Sequence, residues 1–336
     1  MVLAEPDSLV APAAELRLLV ILPALDEART VASVIAGIPK QIPGVREIEV
    51  LVVDDGSTDA TAQEAQRAGA RVIRHNSTMG VGAAFASGIR YAVDAAADLI
   101  VTIDADGQFD PADIPTLVRP VIERRADFAS ASRFADPSLV PDMPALKRWG
   151  NRMMARLVSR LTGQTFFDVS CGMRCYSRRA ALVLNPMGKF TYTQEVFLNL
   201  AFKQLLIVEV PRAVRGEREH GDSRVAKNLW RYALNTSGII FRSYRDYKPM
   251  LFFGASAALA LLLAAGLGGF LMIHYLSTGS FSPHKWAGFG SAAAAIIGLL
   301  LLFMGVLGDM LNRHRVYLEE LLYRQRDRHT RGGSGD

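Results

Sequence analysis

Asp104 and Asp106 stand one residue apart directly after the apolar run Leu99-Ile100-Val101-Thr102-Ile103, and Gly107 and Gln108 follow them. A buried strand that stops at two carboxylates and then turns at a glycine delivers oxygen ligands to a sheet's carboxyl edge, where ligands bind in open α/β folds. Hard oxygen donors in that setting suit a divalent cation and the phosphates it carries. A second apolar run, ending in Val52-Val53, passes into Asp54-Asp55-Gly56-Ser57-Thr58-Asp59. There the carboxylates can bond ribose hydroxyls or a base edge, and Ser57, Thr58 or Asp59 can cap a following helix. The first run ends in Leu22-Pro23-Ala24-Leu25-Asp26-Glu27, a third acidic loop.

Three acidic loops can share an edge only if their strands run parallel. Leu18–Leu22, Glu49–Val53, Arg71–Arg74, Leu99–Ile103, Asp127–Ala131 and Leu206–Val210 read as strands rich in Val, Ile and Leu. Between them Ala28–Gly37, Asp59–Ala68, Gly82–Ala97 and Asp113–Arg124 have helical spacing. This alternation predicts an α/β fold with a mostly parallel sheet. Cys171 and Cys175 have no further Cys or His at zinc-ligand spacing and read as packing residues.

The chain has 336 residues, of which 50% are hydrophobic and 21% charged, and its mean hydropathy is +0.17. That apolar excess is concentrated near the C-terminus. Met250–Leu276 carries no acidic or basic residue except His274, and Trp286–Gly308 carries no ionisable side chain at all. Each stretch exceeds the roughly 20 residues that span a bilayer core, so the pair reads as a C-terminal two-helix transmembrane hairpin. Arg242, Arg245 and Lys248 precede it, and Arg313, Arg315, Arg324, Arg326, Arg328 and Arg331 follow, whereas the connector has only Lys285. The positive-inside rule then puts both termini in the cytoplasm, at the cell membrane, as a multi-pass protein. The early run Leu16–Leu25 is short and contains Arg17, which does not fit a signal peptide. The net charge of +5 is explained by these flanks and by phosphate-binding loops, so anionic lipid is expected as a partner and nucleic acid is not.

The expected organisation is a flexible N-terminus over 1–15, a catalytic domain over 16–225, an interfacial amphipathic helix over 226–248, spans over 249–276 and 286–308 joined by an extracytoplasmic loop over 277–285, and a basic cytoplasmic tail over 309–336. Leu229, Trp230, Leu234, Ile239, Ile240 and Phe241 interleave with Arg231, Arg242 and Arg245 in the first interfacial segment. Met310–Arg328 repeats the pattern.

In this order, Pro23–Glu27, Val52–Asp59, Gly80–Gly88, Asp104–Asp110, Ser132-Arg133, Asp168–Arg174, Glu195 and Arg218–Arg224 resemble a family-2 glycosyltransferase with the GT-A nucleotide-sugar-binding fold. More narrowly the chain is similar to the dolichol- and polyprenyl-phosphate sugar transferases. The resemblance implies that Pro23, Asp26, Glu27 and Asp55 frame the donor nucleoside. It further implies that Asp104, Asp106 and Gln108 serve a Mg²⁺ or Mn²⁺ ion, with Asp104 either a ligand through water or a donor-orienting group. Arg133, Arg218, Ser223 and Arg224 are placed to meet phosphates, and arginine's planar fork suits that task. Ser170, Arg174 and Glu195 fall on the acceptor side. Asp168 either takes part in catalysis directly or orients an arginine such as Arg174.

Three residues depart from the family pattern: Asp26 in place of asparagine, Met79 in place of a basic residue before Gly80, and Arg224 in place of lysine. They leave the donor open between GDP-mannose, UDP-glucose and others. The expected reaction is inverting transfer of a hexose to polyprenyl phosphate at the cytoplasmic face. Two alternatives are a polysaccharide synthase with a hydroxyl acceptor and a non-catalytic nucleotide-sugar-binding subunit.

Overall fold

The computed structural model describes residues 16–184, 193–215, 238, 241–242 and 244–332. The chain divides into two compact units, one holding residues up to 236 together with 325–336 and the other 237–324. Residues 1–15 and most of the expected interfacial helix over 226–248 lie outside the described residues.

The first unit is built on one seven-stranded sheet. Its strands are β1 (Leu16–Ala24), β2 (Val45–Asp54), β3 (Arg71–Arg74), β4 (Leu99–Thr102), β5 (Phe128–Ser132), β6 (Arg174–Ser177) and β7 (Ile207–Pro211), in the order β3-β2-β1-β4-β6-β5-β7. Every pairing is parallel except those of β6, which runs antiparallel to β4 and to β5. Leu18–Leu22, Leu51–Val53 and Leu99–Val101 are almost entirely buried because helices cover both faces of the central strands. The helices are α1 (Val31–Gly37), α2 (Thr61–Arg67), α3 (Val81–Asp94), α4 (Ile114–Ile122), α5 (Ala145–Thr162), α6 (Arg178–Val183) and α7 (Thr193–Phe202). Helix α3 packs over β1 and β2, while α4 packs over β4, β5 and β6.

All six expected strands form, with ends shifted by a few residues. The sequence reading omits β6, α5 and the short α6. Four residues, Arg-Cys-Tyr-Ser, carry no apolar alternation long enough to mark β6, which exists because β4 and β5 pair with it from either side. Helix α5 turns only a narrow face inward, through Ala155 and Val158, so its apolar periodicity is faint. It ends at Gly163, whose φ of +76° is the left-handed conformation that glycine supplies at a helix terminus.

The second unit holds the helices α8 (Pro249–Thr278) and most of α9 (Lys285–Gly332), both long and apolar enough to cross a membrane. They lie antiparallel. A Cβ on Gly308 would meet Pro249 at 2.7 Å and one on Gly298 would meet Leu261 at 2.7 Å, while Ser291 Oγ donates to the Ala264 carbonyl at 2.7 Å. Small residues at these crossings let the two backbones approach closely, as in helix pairs that span a membrane. The expected boundary between span and tail at 308/309 falls inside one continuous helix.

Candidate active site

Because β1, β2 and β4 are parallel and adjacent, their carboxyl ends bring the three acidic loops to one edge of the sheet. Strand β5 points the same way, since both it and β4 are antiparallel to β6. That reversal also returns the segment before β6, Asp168–Met173, to the same edge. Thr102 and Ser130 both stand opposite Arg174 in the register, and Thr102 Oγ1 donates to the Gly172 carbonyl at 3.0 Å.

Asp106 is 3% exposed and its Oδ1 accepts the Gln108 N–H at 3.1 Å, a local turn assisted by the left-handed φ of +74° at Gly107. Asp104 is half-buried and lies against Gly172, where a Cβ would come within 2.4 Å of its Oδ2. Glycine at 172 is what lets this carboxylate sit beside the returning loop. The segment after β7 is tied to the same place, because Arg215 N donates to the Gln108 carbonyl at 3.1 Å. Arg218, Ser223 and Arg224, farther along that segment, lie outside the described residues.

The first two acidic loops are stitched to each other. Asp26 N donates to Ser57 Oγ at 2.9 Å, Asp26 Oδ1 accepts the Thr58 N–H at 2.7 Å, and Glu27 N donates to Thr61 Oγ1 at 2.8 Å. Asp26 has a φ of +52°, a conformation that asparagine and aspartate both tolerate, so its departure from asparagine keeps the loop's shape. Pro23 is buried in β1, two residues past the last β4 pair at Ile21, where its missing N–H breaks no ladder bond.

Asp55 turns inward. It is 3% exposed, its Oδ1 accepts from Met79 N at 2.9 Å and its Oδ2 from Gly80 N at 2.7 Å, and His75 Nδ1 lies 2.7 Å from Oδ1. His75 Nε2 in turn lies 3.0 Å from Ser87 Oγ on α3. The carboxylate thus pins the loop that enters α3. His75 and Ser87 escape sequence reasoning because their partners are 20 and 12 residues away.

Asp168 is fully buried and grips Arg133, with Nε to Oδ2 at 2.6 Å and Nη2 to Oδ1 at 2.9 Å. Ser170 N donates to Asp168 Oδ1 at 3.1 Å, and Arg133 Nη2 donates to Ser170 Oγ at 2.8 Å. Burial would raise the Asp168 carboxyl, but the charge and hydrogen bonds of Arg133 outweigh it and hold the group below the ordinary carboxylate value. The arginine that Asp168 orients is therefore Arg133 and not Arg174. Arg174 is itself 0% exposed, with its guanidinium carbon 5.2 Å from the Phe197 ring centre and Nε donating to the Cys171 carbonyl at 2.8 Å. Expected on the acceptor side, it is instead an interior cation braced by aromatic rings, because β6 carries it into the sheet. Glu195 sits half-buried in the first turn of α7, with Phe197, Leu198 and Leu200 packed inward.

Two further residues join the Arg133 cluster. Asn151 Oδ1 accepts from Ser170 Oγ at 3.1 Å, and Lys147 is close enough for partial burial and the Arg133 charge to lower its ammonium pKa. Both lie on α5, which left no signal in the sequence. Glu209 on β7 accepts the Asp168 N–H at 2.7 Å and the Phe167 N–H at 2.8 Å, fixing the loop from behind. Burial raises its carboxyl above the ordinary value despite those bonds. Cys171 and Cys175 are buried, as expected of packing residues, and burial pushes the Cys171 thiol up to about 12.

Residues 19–183 match the family model described as glycosyl transferase family 2. The uncharacterized protein MJ1222 of Methanocaldococcus jannaschii is 33% identical over 195 residues, which cover 57% of this chain and 79% of that one. The chain belongs to glycosyltransferase family 2. An undecaprenyl-phosphate mannosyltransferase of Micrococcus luteus is 28% identical to this glycosyltransferase over 64% of the chain and 89% of the relative. Among solved structures, glucosyl-3-phosphoglycerate synthase of Mycobacterium tuberculosis, determined with Mn²⁺, UDP-glucose and phosphoglyceric acid, superposes with a TM-score of 0.53 at 23% identity, over 68% of this chain and 80% of that one. That likeness establishes the GT-A fold.

Among the described residues no group of three or more His, Cys, Asp and Glu side chains is close enough to hold a metal ion. The glycosyltransferase nonetheless presents an all-oxygen set in Asp104, Asp106 and Gln108 on one tight turn. Mg²⁺ and Mn²⁺ favour such oxygen donors, and Mg²⁺ commonly takes only one or two protein carboxylates with substrate phosphates and water. The donor chemistry fits such an ion.

Proposed function

We propose that this glycosyltransferase moves a hexose from a nucleotide diphosphate sugar to the phosphate of a polyprenyl phosphate, with inversion, at the cytoplasmic face of the membrane. The observation that carries the reading is the buried Asp168–Arg133 pair. An acceptor hydroxyl would need an accessible base. Asp168 is 0% exposed and committed to a guanidinium, so it serves as the anchor of an anion-binding arginine. A phosphomonoester, with a second pKa near 6, is already largely dianionic at neutral pH and needs positioning more than deprotonation.

In this reading Arg133, supported by Ser170 and joined by Lys147, receives the lipid phosphate and directs one of its oxygens at the sugar's anomeric carbon. Glu209 holds the Asp168 loop so that the guanidinium keeps its aim. The stitched loops of Asp26, Glu27 and Ser57 form the floor for the nucleoside, and Asp55 acts behind them by fixing Met79 and Gly80. Asp106, Gln108 and Asp104 would hold Mg²⁺ or Mn²⁺, which as a Lewis acid stabilises charge on the departing diphosphate. The relative named as an undecaprenyl-phosphate mannosyltransferase and the two apolar helices support a lipid acceptor and a membrane location. GDP-mannose and UDP-glucose are the donors to try first.

The test supplies purified full-length protein with polyprenyl phosphate and labelled GDP-mannose, UDP-glucose and further donors, with and without Mn²⁺ or Mg²⁺. A lipid-extractable, acid-labile product is expected with one donor, dependent on the ion. Asp106→Asn is expected to lose turnover while keeping its fold. Transfer only to a glycan hydroxyl, or nucleotide binding without transfer, would overturn the reading.

A further inference from the structure

Helix α5 bears a surface that the proposed reaction does not use. Trp149, Met153 and Leu157 follow one another at i, i+4 and i+8 and are 60%, 51% and 40% exposed. Arg148, Arg152, Arg156 and Arg160 form the adjoining row, all exposed. Among the described residues no carboxylate pairs with any of these four arginines, and they stand in one file beside the apolar row, unlike the scattered exposed cations Arg29, Arg46, Arg90 and Arg124. A shallow surface cavity of about 170 Å³ opens between Trp149 and the side chains of Arg148, Arg152 and Arg156.

A water-facing helix would not place three large apolar side chains in file, and a packed helix would not leave four cations unpaired beside them. The combination is that of a helix lying in a headgroup layer, with an apolar row entering the acyl boundary and a basic row meeting lipid phosphates. The opposite side, with Asn151, Ala155 and Val158, turns toward the protein and carries the contact to Ser170. We infer that the exposed face of α5 docks on an anionic lipid leaflet, giving the catalytic domain a membrane contact of its own. The occupant is the bilayer surface because the basic row has counter-charges nowhere in the described chain and an anionic leaflet supplies them along the helix's whole length.

The test uses the full chain in nanodiscs of phosphatidylglycerol or of phosphatidylcholine, with a nitroxide on Met153→Cys or, separately, Leu157→Cys. The buried thiols of Cys171 and Cys175 are not expected to label. Collision with oxygen should rise and collision with a nickel chelate should fall at 153 and 157 in phosphatidylglycerol discs, relative to a label at Arg67→Cys. Replacing Arg148, Arg152 and Arg156 by glutamine should lower the docking equilibrium about fivefold per arginine and restore chelate access. Equal chelate access at 153, 157 and 67 in anionic discs would overturn the inference. So would spin–spin broadening at 153, which would mean that the face meets a second copy of the chain. The readout is depth and not sugar transfer, so it stands or falls independently of the proposed reaction.

Discussion

At the residue scale the decisive unit is the Asp168–Arg133 pair, in which a carboxylate with no solvent exposure exists only because a guanidinium satisfies it. An unfolded aspartate titrates near 3.9, and Asp168 in the folded chain titrates lower. The stability it contributes is therefore complete above the unfolded value and is lost as pH falls through the lower folded one. Asp168→Asn should flatten this acid limb in denaturant titrations between about pH 3 and 7. At neutral pH it should cost about 3 kcal/mol, because a largely buried cation loses its counter-charge. The sequence marked Asp168 as important but left its partner open, since 35 residues separate it from Arg133. Asp104 and Asp106 were legible at once because their strand and their turn are local.

At the element scale the central strands announced themselves by continuous apolar runs, and their parallel order followed from the intervening helices. The packing of α3 on β1 illustrates what that leaves undecided. A Cβ at Gly88 would meet Ile21 Cγ2 at 2.6 Å, so the helix approaches the strand at a distance only glycine permits. Gly88→Ala should destabilise the protein by about 1–3 kcal/mol through overpacking. In an Ile21→Ala background, which removes the Cγ2 in the way, the Gly88→Ala step should cost less than it does beside isoleucine, read as a coupling energy in a double-mutant cycle measured by chemical denaturation. Strand β6 and helix α5 were invisible for opposite reasons. The one is too short to have a period, and the other buries too narrow a stripe to show one.

At the scale of the whole molecule, the two long apolar helices are flanked in sequence by basic residues at the hairpin's open end. In the proposed orientation the 279–284 connector lies on the far side of the membrane. Ser280→Cys should accordingly react with an impermeant maleimide in intact cells, while Arg67→Cys reacts only after permeabilisation. The reverse labelling would place the sugar-transfer site on the other face.

The sequence by itself determined the α/β class, the acidic strand ends, the family and the hairpin, because each is written in local runs of apolar and charged residues. Only the tertiary structure decided which groups face one another. It turned Asp55 inward onto Met79 and Gly80, gave Asp168 to Arg133, and buried Arg174 among aromatic rings. For the last two the physical reason is the reversal of β6. One antiparallel strand in an otherwise parallel sheet returns its leading loop to the ligand edge, and no local pattern in four residues encodes that pairing.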